Sequence, residues 1–143
     1  MILIFSLMSC VGKSIKKTNE YLLAGDEYKY WIRLHPSEDP GNANKRISYF
    51  DRQFTNLVFW YDTIDNKIHQ DKIGDVLYRP YWRFINDSTF DQGGDYCKII
   101  TLNDTLLVFE SAHAGLLAYK SIPIDSLPIN YRKVQEIPKG LRN

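Results

Sequence analysis

Few side chains in this sequence stand at spacings that catalysis or metal binding would demand. Gly12, Lys13 and Ser14 match the end of the phosphate-loop motif GxxxxGK[ST], but the place of its first glycine is held by Leu7. That glycine makes the turn that aims backbone N–H groups at the phosphates, so the loop is not expected to work. His35, His69 and His113 are scattered and fall in no HExxH or other ligand spacing, so no metal site is expected. Ser111 and His113 stand close together in SAHAG, yet the GxSxG elbow of a serine nucleophile is absent. A glycine-flanked loop between strands explains the pair without catalysis. Asp87, Asp91, Asp95 and Asp104 could serve in general acid–base roles, but they fall in hairpins, where turn chemistry favours Asp anyway. DTIDNKIHQD lacks the DxDxDG order and the bidentate Glu of a calcium hand. The chain is therefore not expected to be an enzyme or to need a cofactor. A hydrolase would require a Ser, a His and a carboxylate that only the fold could assemble.

The elements that position these residues read as strands. Aromatics make up 14% of the chain, ten of them Tyr, and aromatic residues favour pleated, half-buried surfaces. The 143 residues fit one domain large enough to bury a core without metal or disulfide. With 18 basic against 17 acidic residues, the net charge of +1 offers no field to attract nucleic acid.

EYKYWIRLH alternates Tyr28, Tyr30, Ile32 and Leu34 on one face with Lys29, Arg33 and His35 on the other, which predicts a half-buried strand. The polar stretch 36–46, with Pro36, Pro40 and Gly41, predicts a long loop. FTNLVFWY from Phe54 to Tyr61 predicts a strongly apolar strand with a return through KIHQ. Pro80 confines the next strand to Tyr81 to Ile85. Beyond it, WRFINDSTF, a break at Gly93 and Gly94, YCKIITLNDTLLVFES, HAG and LLAYKSIP alternate strand and turn. Asn86-Asp87-Ser88 and Asn103-Asp104-Thr105 occupy equivalent turn positions. This pattern predicts an all-β antiparallel meander that closes into a small up-and-down barrel or packs as a β-sandwich. Tyr30, Trp82, Phe84, Phe109 and Tyr119, with Trp31 and Trp60, are the candidates to line its interior. Such side chains could equally fill a small barrel solidly.

The start of the chain carries a different signal. MILIFSLM is too short to span a hydrocarbon core of roughly 30 Å as a helix. Leu7, Met8, Ser9 and Cys10 stand in the pattern Leu-x-[small]-Cys, which resembles the lipobox of bacterial lipoproteins. The resemblance implies that residues 1–9 are a signal peptide, truncated at its start because no basic n-region precedes the apolar run. It further implies that Cys10 carries the lipid. Each buried CH₂ of an acyl chain contributes about 0.8 kcal/mol, so several chains hold a domain on a bilayer. Residues 10–20 then form a tether, 21–123 the barrel domain and 124–143 a C-terminal tail. Lys13, Lys16 and Lys17 in the tether are solvated or touch anionic head groups. In some bacterial lipoproteins acidic residues directly after the Cys direct the protein to the cell surface; none stands here before Glu20, so the resemblance implies a periplasm-facing outer-membrane position. If Cys10 is acylated, Cys97 is left as a single core thiol, with a Cys10–Cys97 bridge as the rival.

YLLAGDEYKYWIRL, WRFINDSTF and YCKIITLNDTLLVF together look like the small bacterial lipocalin-like lipoproteins over residues 21 to 122. That resemblance implies an up-and-down barrel whose interior holds a small hydrophobic ligand. A module that binds another envelope protein through a solid-cored barrel is the competing expectation.

Overall fold

The structure is a computed structural model that describes residues 17–36, 44–62, 64–65, 67–70 and 79–126. A helix, α1 (Asn19–Ala24), precedes four strands: β1 (Tyr28–His35), β2 (Asn44–Asp51), β3 (Asn56–Asp62) and β4 (Lys67–Gln70). Five more follow: β5 (Trp82–Asn86), β6 (Thr89–Gln92), β7 (Asp95–Leu102), β8 (Leu106–Ser111) and β9 (Gly115–Ile122), then a 3-10 turn at Ile124–Ser126. All nine strands join one antiparallel sheet in the order β4-β3-β2-β1-β9-β8-β7-β6-β5. Every neighbouring pair is a sequence neighbour except β1 with β9, the long-range pairing that lets a meander curl.

The result is the expected all-β meander, bent into a half-barrel whose two end strands are β4 and β5. At one point the chain entering β3 touches the chain entering β5. Thr55 bridges to Tyr81, the Asn56 amide donates to the Pro80 carbonyl at 3.2 Å, and the Trp82 amide donates to the Phe54 carbonyl at 3.1 Å. Pro80 stands just before β5, where its missing N–H removes no ladder bond.

Local chemistry fixes the hairpins. Asn103 Oδ1 accepts the Thr105 and Leu106 amides at 2.9 and 2.8 Å, and Asn86 Oδ1 accepts the Ser88 amide at 2.9 Å. Each side chain thereby satisfies amides that the turn would otherwise leave open. Between β6 and β7, Gly93 has φ +62°, and a Cβ there would lie 2.5 Å from the Arg79 carbonyl oxygen. Only glycine allows that approach, which brings the chain before β5 against the turn. Asp51 organises the β2–β3 connection by accepting the Gln53 and Thr55 amides and the Tyr49 hydroxyl.

The core lies on the concave face. Leu23 and Ala24 of α1 pack with Trp31, Phe50, Trp82, Phe90, Cys97, Leu107, Phe109, Leu117 and Tyr119. The rings meet edge-on at Phe90–Phe109 (centroids 5.1 Å apart) and stacked at Phe109–Tyr119 (5.8 Å), the geometries that the aromatic quadrupole favours. Full burial of a side chain such as Phe50 or Phe90 stabilises the fold by roughly 1.5–3 kcal/mol. Indole donors secure the ends: Trp31 Nε1 bonds the Leu23 carbonyl at 2.9 Å, and Trp82 Nε1 bonds that of Asp51 at 3.1 Å. A second cluster, Tyr30, Ile47, Tyr49, Leu57 and Phe59, is buried on the opposite face of β1–β3.

Several boundaries and one strand phase differ from the sequence reading. The expected loop 36–46 ends earlier, because Asn44, Lys45 and Arg46 open β2. The apolar strand begins at Asn56 rather than Phe54, which has φ 64° and lays its ring on Trp82 at 5.2 Å. Strand β5 runs one residue later than expected. In β1 it is Trp31, not the Tyr28–Leu34 set, that reaches the concave core, and Leu34 is exposed. Residues 17–20 of the expected tether belong to the fold: Thr18 caps α1, and Lys17 pairs with Asp104 at 2.7 Å. No described helix is long and apolar enough to cross a membrane.

Candidate functional site

The strand register sets out the concave face residue by residue. Trp60 of β3 stands opposite Arg46 of β2. Ile47 pairs with Ile32, so the next pair along that ladder sets Arg46 beside Arg33 of β1. Arg33 stands opposite Tyr119 of β9, Tyr119 opposite Leu107 of β8, and Leu107 opposite Leu102 of β7. Because strand side chains alternate, these six belong to one face, the one that carries Tyr119 and Leu107 into the core. One cross-strand row therefore runs from an indole through two guanidiniums and a phenol to two leucines.

Its polar part is half-buried. The Arg46 guanidinium lies over the Trp60 ring, 5.7 Å from the centroid, and its Nε is buried with no hydrogen-bond partner among the described residues. Burial pushes the Tyr119 phenol above its ordinary pKa, against the opposing pull of the Arg46 and Arg33 charges and of the Ser48 hydroxyl. Lys29, two places before Trp31 on this face, holds its ammonium 4.5 Å from that ring and donates to the Leu22 carbonyl at 2.9 Å. Burial lowers its pKa.

Four of the five residues expected to line the interior come together. Trp82, Phe109 and Tyr119 are core members and Phe84 packs against them partly open, but Tyr30 points the other way, into the cluster on the opposite face. Trp31 and Trp60 share the concave face. Sequence reading left Arg33 and Arg46 off the lining residues, placing the first on the face opposite Tyr30 and the second in the loop 36–46. The usable signal was the shared parity of Arg33 with Trp31.

Ser111, Asp91, Asp95 and Asp104 hold structural contacts through their side chains. The Ser111 hydroxyl donates to Asp95 Oδ2 and accepts the His113 and Ala114 amides at 3.2 and 2.8 Å, so it closes the β8–β9 turn. His113 takes part through its backbone, and its side chain is exposed. Asp91, fully buried in β6, accepts from the Tyr81 hydroxyl, Arg83 Nε and the Gly94 amide. Asp104 is held by Lys17, whose hydrogen bond and charge lower its pKa, and the Asp87 backbone carbonyl accepts from Asn19. No cluster of His, Cys, Asp and Glu among the described residues could hold a metal. Cys97 is a free, buried thiol whose pKa is pushed far up by burial and by the nearby Asp95 charge. Cys10 and the Gly12–Ser14 motif lie outside the described residues.

No family model matches the chain, and neither curated proteins nor solved structures contain a match to it.

Proposed function

We propose that this protein is a bacterial envelope lipoprotein, anchored through Cys10, whose half-barrel binds a small hydrophobic ligand on its concave face without catalysing a reaction. The observation that carries the ligand reading is an apolar wall left partly open: Phe84, Ile99 and Leu102 pack on the aromatic core yet keep part of their surface accessible. A solid-cored module would seal such side chains, whereas ligand sites are concave, mostly apolar and edged by a few polar groups.

The competing module reading draws less support. On the outer face of β7–β9, Tyr96, Ile100 and Leu116 are exposed, but charge interrupts them: Lys98 stands opposite Glu110, and Glu110 opposite Leu116. That interleaving makes a solvated surface rather than a contiguous apolar patch.

Two experiments test the proposal. The neutral probe N-phenyl-1-naphthylamine is expected to bind the full chain saturably, with Leu102→Lys weakening it at least tenfold; no saturable signal contradicts the ligand reading. Cys10→Ala is expected to release the protein from membranes, and unchanged sedimentation with the membrane fraction contradicts the anchor.

A further inference from the structure

Polar contacts fix the place where the chain enters the fold. Lys17 Nζ donates to both carboxylate oxygens of Asp104 at 2.9 and 2.7 Å, Thr18 caps α1, and Asn19 Nδ2 donates to the Asp87 carbonyl at 2.7 Å. The entry is thereby tied to the β5–β6 and β7–β8 turns, which share one end of the sheet, while the β6–β7 and β8–β9 turns share the other. From Cys10 to Lys17 the chain has seven residue steps, which span at most about 25 Å at ~3.6 Å each. Strand β9, eight residues long, covers about 26 Å at ~3.3 Å each between the two ends. A lipid on Cys10 therefore holds the entry end close to a bilayer, whereas even a fully extended run barely passes the far end.

The entry end also carries apolar side chains that the sheet leaves uncovered. Phe84 pairs with Phe90 and Asn86 with Thr89, so the register skips Ile85; Ile99 pairs with Phe109 and Thr101 with Val108, so it skips Ile100. The extra residue of such a bulge has none opposite it in the ladder, and Ile85 and Ile100 are 48% and 57% exposed. The Ile99 amide donates to the Ser88 carbonyl at 2.8 Å, which brings Ile100 beside the β5–β6 turn that Ile85 enters. Water offers such side chains no stabilisation, whereas the boundary between head groups and acyl chains buries them favourably. Leu34, Ile64 and Leu116 are exposed toward the far end, but the reach from Cys10 decides between the two.

Resting on the Cys10 anchor proposed above, we propose that the α1 end of the half-barrel is a membrane-contact surface. Ile85 and Ile100 enter the interface of a phospholipid bilayer, and the β5–β6 and β7–β8 turns lie against its head groups.

The test uses the lipidated full chain in phosphatidylethanolamine and phosphatidylglycerol vesicles that carry a nitroxide near the top of the acyl chain. A bimane label is placed by Ile100→Cys at the entry end or by Leu116→Cys, a site of similar exposure on the same outer face, at the far end. The Ile100 label is expected to be quenched at least threefold more strongly, and its emission to shift to the blue relative to the vesicle-free Cys10→Ala chain. Ile85→Cys supplies a second label at the entry end and is expected to be quenched likewise. Stronger quenching at Leu116, or equal quenching at both ends, overturns the contact surface while leaving the anchor intact. Failure of the chain to associate with the vesicles overturns both.

Discussion

The two halves of the sheet obey different rules. In β5–β9 one face is buried and the other wet: β8 alternates half-buried Leu106 and Val108 and exposed Glu110 with buried Leu107, Phe109 and Ser111. In β1–β3 both faces are covered, so that Asn56, Leu57, Val58 and Phe59 are buried in succession and β1 sends Trp31 to one cluster and Tyr30 to the other. The first half is a conventional amphipathic meander. The second buries apolar side chains on both faces, and that contrast separates the singly covered part of the sheet from the doubly covered part.

Removing what joins the halves has the largest expected effect. Trp82 touches Phe50, Phe54 and Phe84 and bonds the Asp51 carbonyl, so Trp82→Ala is expected to cost about 3–5 kcal/mol in urea unfolding. A cost below about 1 kcal/mol would mean that the seam at Thr55–Tyr81 does not hold the sheet closed. A smaller loss belongs to the conventional half alone: Asn103→Ala removes acceptors for two turn amides and is expected to cost roughly 1–2 kcal/mol without changing ligand affinity.

Alkaline titration separates the halves most finely. Lys29 has a lowered pKa in the fold, so the unfolded chain holds more protons just below its ordinary pKa of 10.5 and stability rises with pH there. Tyr119 keeps its proton longer in the fold than its ordinary pKa of 10.0 allows, so its contribution is complete below that value and is lost as pH climbs above it. Lys29→Met is expected to flatten the rise and Tyr119→Phe to reduce the fall, read as slopes of unfolding free energy against pH. The Cys97 thiol, buried in the conventional half, is expected to resist a maleimide at pH 8 until urea unfolds the chain.

Legibility in the sequence followed the same division. The hairpins around Asn86 and Asn103, the break at Gly93 and the meander they imply were readable because one buried face produces strict alternation and turn residues act locally. Strand β2 was obscured: its opening residues, Asn44 to Arg46, continue a polar run, and an arginine turned inward looks like loop composition. The phase of β1 could not be read where both faces are buried, since alternation then distinguishes two sets of apolar residues without saying which faces the barrel. The pairing of β1 with β9, which creates the Arg46–Arg33–Tyr119 row, joins distant parts of the chain and leaves no local mark.

The most direct measurement is NMR of the ¹⁵N-labelled full chain titrated with N-phenyl-1-naphthylamine, following backbone amides. Amides around Phe84, Leu102 and Leu107 on the concave face are expected to move most. Unmoved signals there, or shifts confined to the outward face around Tyr96, Ile100 and Leu116, would contradict a concave ligand site.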